Sequence, residues 1–324
     1  MSQSTPSPFP QLKVSVPAST SNLGPGFDSL GLALSLFLEV RLLGPRRDGV
    51  DRHRLVEAHG EASNWPTTED NALLRAFSAG IERLVTPGEA HRPMDFACES
   101  QIPIARGLGS SGAAIVAGLL LARALARHLP GSEDADTPTL AGWAAELEGH
   151  PDNTTASLHG GCTMALPLGR SIKTISAPVH SSVCFAVSWP ATTVTTSAAR
   201  AALPAQVPLE DAVENARRLP FLLEGLRTGD GALLAVGLAD RLHVQHRLPL
   251  IPGGEAALTA ATAAGAYGAT LSGSGSALIA LCPGACAPAV AEAMTSALRS
   301  DGQQTASGRV LQLVEAAPRV EAIS

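Results

Sequence analysis

The segment GLGSSG at residues 107–112 has the composition of an anion-binding loop. Residues 94–100 before it are predicted to form a strand, and the alanine- and leucine-rich residues 112–128 are predicted to form a helix. At a helix N-terminus, free N–H groups and aligned peptide dipoles, worth about half a positive charge, favour a phosphate group. The glycines let the backbone approach a ligand closely, and the hydroxyls of Ser110 and Ser111 can bind a phosphate oxygen or a metal ion.

The residues of this loop leave other interpretations open. A serine hydroxyl could cap the helix without binding any ligand. The spelling GxGxxG also occurs in dinucleotide-binding loops, but no acidic residue about 20 positions later completes that unit. A P-loop is excluded because no lysine follows Gly112. The two serines at the start of the helix favour a nucleoside triphosphate over a dinucleotide.

Carboxylates and a histidine are concentrated in LEGHPDN, residues 147–153. In the helix predicted over 138–149, Glu146 and Glu148 lie about 200° apart around the axis and cannot both face one pocket. Glu148 adjoins the loop that carries the histidine and is the better candidate for a magnesium ligand. Mg²⁺ prefers oxygen ligands and is typically held by one or two protein groups together with nucleotide phosphates and water.

An amide and a carboxylate flank a turn near the N-terminus. Asn22 and Asp28 lie on either side of Gly24, Pro25 and Gly26, whose tight turns can bring both side chains towards one ligand. A carboxylate in that position would suit an ammonium group. The alternative is that Asn22 only closes an Asx turn with its own backbone.

Three segments, in this order along the chain, resemble the motifs of the GHMP kinase superfamily: VPASTSNLGPGFDSLGLAL (16–34), PIARGLGSSGAA (103–114) and GATLSGSGSALIAL (268–281). The first segment, the LEGHPDN segment and two arginines resemble the homoserine-kinase branch in particular. Mevalonate-type relatives carry a lysine in a PGK context where this chain has Pro17, Ala18 and Ser19. The resemblance implies a two-domain α+β fold. Residues 1–171 would form an N-terminal domain like domain 2 of ribosomal protein S5, and residues 172–324 a ferredoxin-like α+β C-terminal domain.

The resemblance also implies an activity, namely transfer of the γ-phosphate of ATP to the side-chain hydroxyl of L-homoserine with Mg²⁺ as cofactor. Ser111 and Glu148 would hold the metal ion. The third motif, around Ser272 to Ser276, would support the phosphate loop. The expected ATP-binding residues are Pro103, Arg106, Gly107, Leu108, Gly109, Ser110, Ser111 and Gly112, with Asn71 on the adenine side. The residues expected to face homoserine are Asn22, Asp28, His150, Asp152, Arg200 and Arg247, and the catalytic candidates are Asp152, Arg200 and Ser111.

Arginine suits the carboxylate of homoserine because its planar guanidinium binds a carboxylate through paired hydrogen bonds. Arg241 is the competitor for the role of Arg247, with Asp240 as its expected surface partner. His243 and His246 are three residues apart, but without cysteines or several acidic partners nearby they are not expected to bind a metal.

Two roles are open for Asp152. It could act as a general base, as in mevalonate-type relatives. Phosphoryl transfer depends mainly on positioning and charge neutralisation. Positioning of the substrate therefore ranks first among the roles of Asp152, and general-base catalysis ranks second. Two alternative functions are also open: another GHMP kinase with a different alcohol substrate, and a non-catalytic family member that binds nucleotide.

The elements that must position these residues follow from the hydrophobic pattern. Other predicted strands are 12–17, 32–43, 162–167 and 182–189, and other predicted helices are 70–85, 210–228 and 254–265. A chain of 324 residues with mixed elements is predicted to form two compact α+β units. Glycine- and proline-rich punctuation places the boundary near Ile172.

The net charge and the composition of the chain limit the classes of partner that it could bind. A net charge of −6 argues against nucleic acid and anionic membranes as partners, and no uncharged stretch is typical of a membrane span. Residues 1–13, rich in serine and proline, are predicted to be a disordered tail and not a signal peptide, so the expected location is the cytoplasm. The five cysteines show no disulfide or zinc spacing. A homodimer is one expected assembly.

Overall fold

The computed structural model of the protein describes residues 9–86 and 92–323. Eleven strands lie in these residues: β1 Gln11–Asn22, β2 Gly26–Pro45, β3 Arg54–Gly60, β4 Met94–Ser100, β5 Cys162–Leu168, β6 Ser171–Ala177, β7 Val183–Trp189, β8 Gly268–Leu271, β9 Leu278–Pro283, β10 Ser307–Leu311 and β11 Val320–Ile323. Ten α-helices accompany them: α1 Ala72–Leu84, α2 Ser110–Ala126, α3 Thr137–Glu148, α4 Asp152–His159, α5 Thr196–Ala201, α6 Leu209–Thr228, α7 Gly231–Gly237, α8 Val244–Arg247, α9 Gly254–Ala263 and α10 Ala287–Ser300.

The first sheet has seven strands in the order β11-β1-β2-β4-β3, with β5 paired to β2 and β6 paired to β5. In its long central strands, buried apolar residues alternate with more exposed residues, because successive side chains of a strand point to opposite faces. In β1 the buried residues of this kind are Leu12, Val14 and Val16. Helix α2 packs against β1, and α1 packs against α2. Nearly every residue of α2 from Gly112 to Ala122 is buried, so this helix forms the centre of the core.

The second sheet has four antiparallel strands in the order β10-β7-β9-β8, and helices α9 and α10 pack on it. A separate apolar core lies between this sheet and the two helices, and includes Val290, Met294 and Leu298 of α10. The two sheets and their helices confirm the α+β class, with a ferredoxin-like arrangement in the C-terminal part.

The predicted strands and helices all occur, most of them within one or two residues of their predicted ends. Strands β1 and β2 extend much further than predicted and reach the turn at Gly24. Strand β6 pairs with β5 in the first sheet, and the change to the second sheet comes between Ala177 and Val183. A division at residues 171 and 172 would therefore separate the two strands of one hairpin, and the domain limits stay a prediction.

The predicted disordered tail is wrong in its last residues, because Gln11 to Lys13 already pair within β1. The rest of that prediction, up to residue 8, falls outside the described residues. Within 9–86 and 92–323, no helix is long and apolar enough to cross a membrane. All five cysteines are free, although Cys184 and Cys286 are only half-buried.

The contact between α1 and α2 depends on a glycine. A Cβ atom at Gly118 would lie 2.4 Å from the carbonyl oxygen of Leu73 and 2.8 Å from the amide nitrogen of Phe77. Both contacts are with backbone, which cannot rotate away. We expect Gly118→Ala to lower the free energy of unfolding by about 1–3 kcal/mol, measured by urea denaturation.

Gly112 in the same helix provides the matched control. A Cβ atom there would meet nothing closer than 3.4 Å, so Gly112→Ala should not lower the stability. Equal stability of the two variants would show that the close approach at Gly118 is not what limits the packing of α1 on α2.

Candidate active site

One cavity of about 380 Å³ collects the residues singled out from the sequence. Its wall includes Asn22, Asp28, Asn71, Pro103, Arg106, Gly107, Leu108, Gly109, Ser110, Ser111, Glu148, His150, Asp152, Arg200 and Arg247. Gly112 does not line it and instead faces Asn153 and Thr154 within the fold. Residues separated by more than 200 positions in the sequence therefore share one pocket.

The phosphate loop enters α2 through a left-handed residue. Gly109 is the N-cap of this helix with φ 71°, and no side chain caps the helix. The capping alternative for Ser110 and Ser111 is therefore wrong. The hydroxyl of Ser111 instead donates to Oε2 of Glu148 at 2.7 Å. Among the described residues, the first N–H groups of α2 thus have no side-chain acceptor, which is the arrangement that an anion site requires.

Backbone contacts fix the shape of this loop. The amide of Ser19 donates to the carbonyl of Leu108 at 3.2 Å, and the amide of Ala277 donates to the carbonyl of Arg106 at 2.8 Å. The hydroxyl of Ser272 donates to the carbonyl of Gly107 at 2.7 Å. These bonds come from β1 and from the loop between β8 and β9, so the first and third motifs hold the second between them.

A buried polar chain lies under the loop. The hydroxyl of Ser19 donates to Oδ1 of Asn153 at 3.0 Å, and Nδ2 of Asn153 donates to the hydroxyl of Ser21 at 2.9 Å. Each of these residues is buried. Since both ends of the Asn153 amide have partners, the start of α4 is held firmly against β1.

Glu148 closes the pocket at the end of α3. Burial raises the pKa of its carboxyl above the ordinary value, and the hydrogen bond from Ser111 opposes that effect. Glu146, two residues earlier, points elsewhere and pairs with Arg83 at 2.9 Å. The predicted separation of the two glutamates around the helix is confirmed.

His150 and Asp152 form a close pair, with 2.8 Å between Nδ1 and Oδ1. The Asp152 carboxylate also accepts from the amide of Asn153 at 2.9 Å. Burial alone would raise the pKa of Asp152 and lower that of His150, but the bond and charge between them outweigh burial, so the pKa of Asp152 is lowered and that of His150 is raised. The pair is therefore held as an ionised carboxylate and a well-oriented imidazole.

Asp28 lies opposite Arg200 of α5. The guanidinium donates two hydrogen bonds to the carboxylate, at 2.9 and 3.0 Å, and both side chains are more than a third exposed to solvent. Asn22 braces the turn before Asp28, because its Oδ1 accepts from the amide of Asp28 at 2.9 Å and its Nδ2 donates to the carbonyl of Gly273 at 2.7 Å. Both polar atoms of its amide thus have a partner within the chain.

Arg247 is buried at 2% exposure and has no carboxylate within 4.0 Å among the described residues. Its partners are two long hydrogen bonds to the carbonyls of Ala199 and Gly273, at 3.3 and 3.4 Å, and the face of Phe27. Burial lowers the pKa of this guanidinium. The charges of Asp28, Asp152 and Asp240 oppose that effect, but none of these carboxylates forms a direct ion pair with Arg247 among the described residues.

The expected surface pair of Asp240 and Arg241 is wrong. The side chain of Asp240 is buried and accepts hydrogen bonds from the amides of Leu242, His243 and Val244 and from Asn215. It therefore anchors the loop that leads to Arg247. In the described part of the chain, no group of three or more His, Cys, Asp or Glu side chains is placed to hold a metal ion.

Asn71 lines the cavity beside Trp65 and Pro66, and its place on the adenine side stays a prediction. The side-chain oxygen of Asn71 caps α1 by accepting from the amide of Leu73, and its amide nitrogen donates to the carbonyl of Pro66 at 2.7 Å. Its polar atoms are already paired, so it shapes this wall through Pro66. Trp65 and Pro66 contribute the surface there. No motif pointed to Trp65, and only the rarity of tryptophan in this chain could have drawn attention to it.

Comparison with known proteins agrees with this geometry. Residues 71–161 match the family "GHMP kinases N terminal domain", and residues 222–300 match "GHMP kinases C terminal". The chain is 42% identical to a homoserine kinase of Synechococcus sp. (strain RCC307) over 90% of both chains, and 39% identical to one of Prochlorococcus marinus (strain MIT 9303) over 92% of both. A crystal structure of homoserine kinase from Cytophaga hutchinsonii superposes with a TM-score of 0.80 at 25% identity, covering 99% of this chain and 100% of that one.

The chain belongs to the GHMP kinase superfamily. Within that superfamily it belongs to the homoserine kinases, which are ATP-dependent kinases that act on a hydroxyl group.

The isolation of Arg247 yields a stability prediction. Replacing a buried ion that lacks good partners with an apolar residue of similar length is often stabilising by about 1–4 kcal/mol. We expect Arg247→Met to raise the free energy of unfolding in the absence of ligand, measured by chemical denaturation. Arg200→Met is the control, because it removes an exposed ion pair worth at most about 1 kcal/mol. A clear loss of stability in Arg247→Met would mean that the guanidinium is well compensated by the fold.

Proposed function

We propose that this cavity is where the γ-phosphate of ATP is transferred to the side-chain hydroxyl of L-homoserine, giving O-phospho-L-homoserine for threonine biosynthesis. The observation that carries the proposal is the composition of one cavity wall. This wall contains a phosphate loop at a helix N-terminus, the carboxylate of Asp28 and the guanidinium groups of Arg200 and Arg247. The first set of groups suits a nucleotide phosphate, and the second suits an amino acid with both its charges.

The nucleotide lies between the phosphate loop and the wall of Trp65 and Pro66. Backbone N–H groups from Gly107 to Ser111 bind the phosphates, since the glycines leave no side chain in the way. The indole of Trp65 offers an apolar surface for the adenine base. These two parts of the wall are linked through α1, whose N-cap Asn71 holds Pro66 and whose other face packs on α2.

The residues present fit a magnesium ion at Ser111 and Glu148. Both are hard oxygen donors, 2.7 Å apart, and Glu148 has no salt bridge to any described residue. A magnesium ion beside the Glu148 carboxylate would compensate for the desolvation of that group. When bound with the nucleotide, Mg²⁺ neutralises charge on the phosphates. The small number of protein ligands agrees with a site completed by phosphate oxygens and water.

The homoserine end works by exchange of ion pairs. The α-ammonium group takes the place of Arg200 at Asp28, and the α-carboxylate binds the released Arg200 together with Arg247. The guanidinium of Arg247 thereby gains a direct carboxylate partner, which it lacks among the described residues. This exchange requires a ligand with both charges, which is the chemical basis of selection for an amino acid over a simple alcohol.

Asp152 and His150 orient the acceptor hydroxyl. The carboxylate is already committed to His150 and to the amide of Asn153, so it positions the hydroxyl towards the phosphate and serves only secondarily as a base. This order agrees with the loose transition state of phosphoryl transfer, in which alignment and charge neutralisation dominate. The cytoplasmic location and the homodimer stay predictions.

A screen for ADP release tests the function. The purified full chain with ATP and Mg²⁺ should turn over homoserine much faster than mevalonate, galactose or threonine, and EDTA should abolish the activity. Turnover of another alcohol instead would support a different GHMP kinase. Nucleotide binding without turnover of any alcohol would support a non-catalytic protein.

Substitutions at the two ends of the cavity should affect different kinetic constants, those for homoserine at one end and those for ATP at the other. Arg200→Ala should lower kcat/KM for homoserine by roughly 100-fold or more, as expected for loss of a charged donor worth about 3 kcal/mol. Trp65→Ala should raise KM for ATP by roughly tenfold, because stacking of a base on an aromatic ring is worth about 1–3 kcal/mol. Trp143→Ala is the control, since Trp143 packs against Arg83 outside the cavity. An unchanged kcat/KM in Arg200→Ala would remove Arg200 from the site.

A further inference from the structure

His243 is a completely buried histidine that the mechanism above does not use. It precedes α8, and its Nε2 lies 2.9 Å from the carbonyl oxygen of Gly24, in the turn between β1 and β2. Its ring also stacks on Phe27, with centroids 5.0 Å apart and planes inclined by 25°. Both of these contacts are with residues at the turn that presents Asp28, and Nε2 also lies 3.8 Å from Oδ1 of Asp240.

The turn is pressed against the C-terminal part of the fold at the same place. A Cβ atom at Gly24 would lie 2.2 Å from the carbonyl oxygen of Leu238, which caps α7. Gly24 has φ 68°, a conformation that favours glycine. The peptide between Gly24 and its neighbours is therefore held on one side by α7 and on the other by the His243 imidazole.

Phe27 links His243 to Arg247. The guanidinium carbon of Arg247 lies 5.0 Å from the centre of the Phe27 ring, and the amide of Arg247 donates to the carbonyl of His243 at 3.1 Å. Histidine and arginine come from one short helical segment and both pack on the same ring. Asp28 follows Phe27 directly, so this ring sets the separation between Asp28 and Arg247.

Simple core packing does not explain the choice of histidine. Nδ1 of His243 is buried without a hydrogen-bond partner among the described residues, a cost that an apolar side chain would avoid. Burial lowers the pKa of the imidazole, so it is neutral and carries a single N–H. That N–H is on Nε2 and donates to the carbonyl oxygen of Gly24. This hydrogen bond offsets part of the cost of leaving Nδ1 unpaired.

We propose that His243 is a positioning residue for the acceptor substrate. Its N–H bond to Gly24 and its stack on Phe27 fix the distance between Asp28 and Arg247 at the value that suits the ammonium and carboxylate of one α-amino acid. This inference rests on the proposed function, because it takes these two side chains as the binding groups for the amino acid.

Two substitutions at this position test the hydrogen bond. In His243→Gln the side-chain amide nitrogen can occupy the place of Nε2 and still donate to Gly24. In His243→Asn the amide nitrogen corresponds to Nδ1 and cannot reach. We expect His243→Asn to raise KM for homoserine by roughly tenfold, the value of one buried hydrogen bond. His243→Gln should recover most of that loss, and KM for ATP should stay within about twofold in both.

The ratio of kcat/KM for homoserine to kcat/KM for analogues that lack one charge is a second measurement. A general loss of stability would not change this ratio. We expect the wild-type enzyme to discriminate homoserine from 3-amino-1-propanol, which lacks the carboxylate, and from 4-hydroxybutyrate, which lacks the ammonium group. We expect His243→Asn to reduce this discrimination in kcat/KM by roughly tenfold, and His243→Gln to restore it. Thermal denaturation of each variant reports its stability independently.

Three results would decide the inference. Unchanged KM for homoserine and unchanged discrimination in a folded His243→Asn enzyme would overturn it while leaving the proposed function intact. A wild-type protein that does not phosphorylate homoserine would instead overturn the proposed function. If His243→Asn does not fold, Phe27→Leu removes the stacked ring and must raise KM for homoserine selectively, and an unchanged value would overturn the inference equally.

Discussion

The active site depends on the close approach of three backbone segments that are far apart in the chain. A Cβ atom at Gly107 would lie 2.1 Å from the carbonyl oxygen of Ser272, and one at Gly109 would lie 2.1 Å from the hydroxyl of Ser19. The phosphate loop is therefore wedged between β1 and the loop that precedes β9. Any larger residue at these two glycines would push the loop away from the N-terminus of α2 and spread the groups that line the cavity. Hydrogen bonds from outside the loop are accepted by its carbonyls, at Arg106, Gly107 and Leu108, and hold the loop in place at the helix N-terminus.

Charges in the cavity are arranged so that the ligand completes them. Within residues 9–86 and 92–323, Arg247 is buried with no carboxylate within 4.0 Å, Glu148 accepts a hydrogen bond from the Ser111 hydroxyl and forms no salt bridge, and Asp28 holds Arg200 in an exposed pair. Burial of Arg247 and of the Glu148 carboxyl costs stability in the free protein, because a buried charge without a direct ion partner is not fully compensated. The same incompleteness provides affinity and selectivity for a ligand that carries an ammonium group, a carboxylate and phosphates. Rigid neutral elements surround these ions, including the buried chain of Ser19, Asn153 and Ser21 and the stack of His243 on Phe27.

Much of this arrangement was predictable from the sequence. Helices α1, α2, α3, α6 and α9 follow from long apolar or periodic segments, and the three motifs indicated the kinase family and most of the cavity wall. Other features depend on contacts between distant residues. Strand β6 is short and largely exposed, and pairing with β5 is what defines it. The paired amide of Asn71, the buried position of Asp240 and the role of Trp65 in the wall carry no local signal, because each depends on what the chain brings next to it.

The sequence by itself determined the chemical groups available and the local elements that carry them, because helix and strand formation follows from side-chain pattern and glycine conformation. It placed a phosphate loop at the start of a helix and a carboxylate beyond a tight turn. The tertiary structure decided how these groups combine. Packing brought Ser111 to Glu148, Arg200 to Asp28, and His243 to Gly24 across separations of 37, 172 and 219 residues. Such contacts are set by the joint packing of the whole core, and no pattern within a short segment contains that information.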